Sequence, residues 1–156
     1  MTFEKATAAD MGALTNLRIA YLKEDFEVID EADLLTLQNT LPDYFERHLN
    51  RDLMVYVARE QDTIVSCAFL LIVEKPMSPA FITGKTGTVL NVYTMPTHRR
   101  KGLASKLMTM ILEDAAAHQL SVVELKATDD GYSLYQKLGF VDAVSHYRQM
   151  KYTIKT

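Results

Sequence analysis

Gly87-Thr88-Val89-Leu90-Asn91-Val92-Tyr93-Thr94-Met95-Pro96 is a β-branched and aromatic run stopped by a proline, and His98-Arg99-Arg100-Lys101-Gly102-Leu103-Ala104-Ser105 follows it. The first part reads as a strand, because such side chains suit a pleated surface and proline ends the ladder. After the basic turn, Leu103, Leu107, Ile111 and Ala115 recur at helical spacing and predict a helix to about His118. Val122 to Ala127 then reads as another strand. A strand, a helix and a second strand in this order call for a crossover between parallel neighbours.

Working outward, a short strand is expected around Phe3 to Lys5, followed by Thr7 and Asp10 at capping-box spacing. Met11, Leu14, Leu17 and Tyr21 give the first helix, and Leu34, Leu37 and Leu41 a second one that Pro42 is expected to break. Tyr44 to Leu49 adds a further turn or two. Met54 to Ala58 and Thr63 to Val73 flank a Gln61-Asp62 turn and read as a hairpin, and Glu74 to Thr86 reads as a loop. Tyr132 to Leu138 is a short helix closed by Gly139, and Tyr147 to Ile154 alternates as a last strand. The class is α/β: one domain over residues 1–156, with a central mixed sheet flanked by helices on both faces.

The composition narrows the function. With 156 residues, 48% hydrophobic and 24% charged, the chain can bury a core and has no disordered bias. Lys+Arg 17 against Asp+Glu 20 leaves −3, so no global basic field draws nucleic acid, and any bound anion must be held locally. The single Cys67 excludes an internal disulfide framework and Cys-rich metal sites. Cys67 to Val73 is too short an apolar run to span a membrane, and the N-terminus lacks a signal pattern, so we expect a cytoplasmic protein with no membrane partner. The four histidines lack metal-ligand spacing, so no metal is expected; Gly84-Lys85-Thr86 lacks the earlier glycine of a phosphate loop, and no Gly-x-Ser-x-Gly elbow occurs.

The turn before the Leu103 helix carries the chemistry. A helix start exposes unpaired N–H groups and a partial positive charge, so Gly102 and Ala104 would let a phosphate approach while Arg99, Arg100 and Lys101 add cationic donors. Three basic residues before a helix are equally what a solvated face looks like.

Arg99-Arg100-Lys101-Gly102-Leu103-Ala104 matches the signature of the GNAT superfamily of acyl-coenzyme A N-acyltransferases: Arg or Gln, two residues, Gly, one residue, then Gly or Ala. The preceding Asn91-Val92-Tyr93-Thr94-Met95-Pro96 and the later Leu134-Tyr135-Gln136-Lys137-Leu138-Gly139-Phe140 also resemble that family, so about half the chain is covered. The resemblance implies a mostly antiparallel GNAT-type sheet and acetyl-CoA as cosubstrate, its pyrophosphate held by Arg99, Arg100, Lys101, Gly102, Leu103, Ala104 and Ser105. It further implies that backbone groups of Val92, Tyr93 and Thr94 pair with the pantetheine arm like an added strand. The strand should splay from its parallel neighbour and bulge near Asn91 to Tyr93, freeing an amide for the thioester carbonyl. Tyr135 is implied as the acid that protonates the departing thiolate. Many members hold the pantetheine with an asparagine where this chain has Thr128, which weakens the match there although Thr128 can still hydrogen-bond the arm.

The resemblance implies an N-acetyltransferase acting by direct attack in a ternary complex on a small-molecule or peptide amine. The competing reading is a non-catalytic acyl-CoA-binding or sensor module. Glu24, Glu27, Glu74, Tyr93 and Asp129 are candidate bases acting through water. Glu24 and Glu27 lie in an acidic run to Asp33 that could steer a cationic acceptor, or be a solvated loop. Family members are often dimers, so a homodimer is a further expectation.

Overall fold

A computed structural model describes residues 1–155. Five strands form one sheet in the order β1-β2-β3-β4-β5: β1 (Thr2–Lys5), β2 (Leu53–Glu60), β3 (Thr63–Glu74), β4 (Lys85–Thr94) and β5 (Val122–Glu124). The first four are antiparallel neighbours, and β4 pairs with β5 in parallel. The chain forms two compact units, Met1–Lys126 and the part from Ala127 onward.

In the first unit, α1 (Met11–Asp25) and α2 (Glu31–His48) cover one face of the sheet. Leu14, Leu17 and Phe45 pack there on Val55, Val57, Cys67 and Phe69. Helix α3 (Leu103–Ala117) covers the other face, with Leu103 against Ala58 and Val65. Strands β2 and β3 are therefore buried on both sides, which explains why they read as near-continuous apolar runs. Their hairpin turns at Gln61-Asp62, with Glu60 opposite Thr63. Before α1, the Asp10 carboxylate accepts from Thr7 N–H at 2.9 Å, but the chain first makes a 3-10 turn over Ala8–Asp10.

Two expectations need correction. Pro42 does not break the helix: α2 runs unbroken to His48 with the proline inside it. Its interior position costs one backbone hydrogen bond, and burial of Phe45 with Leu41 and Tyr44 against the core offsets that loss. No strand forms over Tyr147 to Ile154; Tyr147, Met150, Tyr152 and Ile154 are all exposed. Alternation makes a strand possible, but only a hydrogen-bonding neighbour makes one stable.

The second unit holds α4 (Asp129–Lys137). The Thr128 hydroxyl caps it by accepting from Gly131 N–H at 3.2 Å. Gly139 closes it at φ +102°, with Gly139 N–H donating to Gln136 O and Phe140 N–H to Tyr135 O, a Schellman arrangement. Among the described residues, no helix is long and apolar enough to cross a membrane.

Candidate active site

The decisive irregularity lies in β4. Cys67 pairs with Tyr93 but Phe69 pairs with Leu90, so three steps along β4 match two along β3. One extra residue is accommodated there as a β-bulge, with Asn91 in the left-handed region at φ +53°, which asparagine tolerates better than most residues. This is the bulge expected near Asn91 to Tyr93. The Asn91 side chain is buried and fixed on both sides: its Oδ1 accepts from Arg18 Nη1 at 3.2 Å and its Nδ2 donates to Cys67 Sγ at 3.5 Å.

The edge of β4 opens beside the bulge. Pairing with β5 runs only from Thr86↔Val122 to Thr88↔Glu124. From Val89 on, β4 has no strand neighbour on that side among the described residues, in keeping with the expected splay. Tyr93 O faces β3, where it accepts from Ser66 Oγ at 3.1 Å. Strand alternation then turns the backbone groups of Val92 and Thr94 to the open edge. Of the three residues expected to meet a pantetheine arm, these two face outward and Tyr93 faces inward.

The turn into α3 supplies the anion cradle. Arg100 at φ +62° and Gly102 at φ +77° twist the chain so that the helix starts at Leu103 with no side chain capping it. The first N–H hydrogen-bonded within this helix belongs to Lys106, to Gly102 O at 3.2 Å. Among the described residues, no acceptor meets the N–H groups of Leu103, Ala104 or Ser105, so three donors at a positive helix end face outward. A Cβ at Gly102 would meet nothing within 4 Å. The space is open, and glycine is needed for its positive φ as well as for access. Arg100 and Lys101 are exposed and without an ion-pair partner among the described residues. Donors, charge and space all suit a pyrophosphate.

Arg99 is placed differently. Its Nε donates to Thr94 O at 2.8 Å, its Nη2 donates to both Glu24 carboxylate oxygens at 2.8 and 2.9 Å, and its guanidinium lies over the Tyr93 ring. The side chain ties the end of α1 to the open edge of β4. Glu24 is consequently an occupied carboxylate, whereas Glu27 lies exposed beyond α1. Burial, and next the Glu24 charge, push the Tyr93 hydroxyl up from its ordinary pKa, which makes it a poor base near neutrality. His98 is hydrogen-bonded to the Glu60 carboxylate.

In the second unit, Tyr135 is buried, with its ring edge-on to Phe140 at 5.9 Å between centroids. A Cβ at Gly131 would come within 2.9 Å of that ring, so this glycine makes the room Tyr135 occupies. The Thr128 oxygen is engaged as the α4 cap.

A residue that sequence reasoning missed completes the site. Arg18 lies partly buried on α1 and lines a pocket of about 240 Å³ with Leu41, Tyr44, Phe45, Leu53, Phe69 and Leu90. The available signal was positional: Arg18 sits between Leu14, Leu17 and Tyr21, a charge on the inward stripe of an amphipathic helix.

The model of the GNAT acetyltransferase family matches residues 16–140. The chain belongs to the GNAT acetyltransferase family. Solved structures share the fold of this acetyltransferase over nearly its whole length. A predicted acetyltransferase from Clostridium acetobutylicum, solved with acetyl-CoA, is 26% identical, covers 96% of this chain and 95% of its own, and superimposes with a TM-score of 0.83. A GCN5-related N-acetyltransferase from Ralstonia eutropha is 22% identical over 96% of this chain and 97% of its own, with a TM-score of 0.79. Glucosamine-6-phosphate N-acetyltransferase from Arabidopsis thaliana is 17% identical over 97% of both chains, with a TM-score of 0.70. No curated protein matches the chain.

Proposed function

We propose that this acetyltransferase moves an acetyl group from acetyl-CoA to a primary amine by direct attack in a ternary complex. The observation that carries the reading is the juxtaposition, in one strand–turn–helix, of a bulged open edge on β4 and an uncapped start of α3. The relative solved with acetyl-CoA supports the choice of cosubstrate, and the family match, which spans both compact units, supports one functional domain over residues 1–156.

Acetyl-CoA supplies an activated acyl group and a thiolate that can leave. The N–H groups of Leu103, Ala104 and Ser105, with Arg100 and Lys101, hold the pyrophosphate. Val92 and Thr94 offer strand-type partners to the amide-bearing arm. The backbone at the Asn91 bulge donates to the thioester carbonyl as negative charge develops there. Tyr135 is the acid that protonates the departing thiolate, and the role comes from its motif. The amine must arrive deprotonated or lose its proton through water. Within the acidic run Glu24 is paired with Arg99, so it contributes less than Glu27 to any steering of a cationic acceptor.

The test is thiol release from acetyl-CoA against amines, polyamines, amino acids and peptides, with Tyr135→Phe beside the unmodified protein. We expect turnover with at least one amine, and in the variant a kcat lower by about 100-fold or more with acetyl-CoA Kd unchanged. Unchanged kcat would remove the acid role of Tyr135. Binding of acetyl-CoA without turnover of any amine would leave the sensor module instead.

A further inference from the structure

The pocket beside the bulge contains a charge that no other residue answers. Its walls are aliphatic and aromatic, from α2, β2, β3 and Leu90 of β4, and among the described residues Arg18 of α1 is its only ionised lining residue. A guanidinium has five N–H donors. Among the described residues, Arg18 spends one on the neutral Asn91 Oδ1 at 3.2 Å, rests against the Tyr21 ring, and meets no carboxylate. The other half-buried guanidinium, Arg59, is paired with Glu4 and Asp10, and the exposed Arg99 and Arg47 are paired with Glu24 and Asp43. Leaving a partly buried one unpaired costs solvation without return unless something else supplies the anion.

Resting on the acetyltransfer reading above, we propose that the acceptor is an amine carrying an anionic group, bound by Arg18, and an apolar or aromatic body that fills the pocket. The chemistry that fits is an apolar or aromatic amino acid. Its carboxylate would take the free guanidinium donors, its side chain would lie among Leu41, Tyr44, Phe45 and Phe69, and its amine, on the carbon next to the carboxylate, would stay near the bulge because Asn91 holds the same guanidinium. Arg18 thus sets acceptor specificity. A polyamine would meet like charge.

Two arms test this. In the first, 3-phenylpropanoate and its neutral amide are titrated by ligand-observed NMR into coenzyme A-loaded protein, unmodified, Arg18→Met and Arg18→Lys. We expect the carboxylate to bind about tenfold or more tightly than the amide, the preference to collapse in Arg18→Met, and Arg18→Lys to retain part of it. In the second, thiol release compares L-phenylalanine with phenethylamine, and the amino acid is expected to have the higher kcat/KM by a similar factor. The proposal is overturned if neither probe binds, if the amide binds as well as the carboxylate, if the preference survives Arg18→Met, or if phenethylamine is the better acceptor. Titration of acetyl-CoA itself separates the two levels: no binding of acetyl-CoA would overturn the acetyltransfer reading, whereas normal binding with no carboxylate preference overturns only the role of Arg18.

Discussion

Replacing Gly102 with alanine separates the backbone role of the α3 entrance from its ligand role. The residue sits at φ +77°, and a Cβ there meets no protein atom within 4 Å, so the cost to the fold is backbone strain alone. For a non-glycine residue in the left-handed region that is about 1–2 kcal/mol, which in a chain of this size lowers Tm by roughly 2–8 °C. The new methyl group also projects into the open space at the helix start. If it removes one charge-assisted hydrogen bond to a bound pyrophosphate, about 1.5–3 kcal/mol of binding is lost, a Kd weaker by roughly 10- to 150-fold. Gly139→Ala is the control, since it also imposes positive-φ strain, greater at φ +102°, with equal space around it. Thermal melts and calorimetric titration with acetyl-CoA read both quantities. We expect a Tm loss in both variants, at least as large in Gly139→Ala, and weakened binding in Gly102→Ala alone. Equal Kd in the two variants would refute the placement of the pyrophosphate, and an unchanged Tm in Gly102→Ala would refute the strain argument.

Asp114 links α3 to the sheet: it accepts from Tyr56 OH at 2.6 Å and pairs with Lys5 Nζ at 2.8 Å. Burial alone would raise its pKa, but the hydrogen bonds from Lys5 and Tyr56 outweigh that and hold it below the ordinary carboxylate range. A lowered folded pKa means that its stabilisation is present above about pH 4, the unfolded value, and is lost as pH falls through the folded value. Tm against pH should therefore fall less steeply below about pH 4 in Asp114→Asn than in the unmodified protein. Cys67 is fully buried and its thiol is pushed up to about 12 by burial, despite the Asn91 hydrogen bond. Mass spectrometry after iodoacetamide at about pH 8 should find no adduct on the native chain and one on the denatured chain; an adduct on the native chain would contradict that burial.

The parts of the molecule written in local pattern were readable. The Gly87-to-Met95 strand, the Leu103 helix and the Met54-to-Val73 hairpin follow from periodicity and turn chemistry, and the family resemblance added the bulge and the splay around Asn91. What local rules missed depends on partners distant in the chain. Pro42 stays helical because Phe45 is held in the core, and Tyr147 to Ile154 forms no strand among the described residues because alternation by itself supplies no hydrogen-bonding partner. The Arg99 side chain turns from the cradle to Glu24, 75 positions away, and Arg18 reaches Asn91 at a separation of 73. The charge on Arg18 was legible; that it faces a pocket was not, because the pocket walls come from four separate elements.

The central claim is that the open start of α3 receives the coenzyme's pyrophosphate, and amide NMR reads it directly. On titration with acetyl-CoA, the Leu103, Ala104 and Ser105 N–H resonances should show the largest downfield shifts in the first unit, as uncapped donors gain anionic acceptors. If acetyl-CoA binds and those three resonances stay in place while others move, the pyrophosphate lies elsewhere and the account fails.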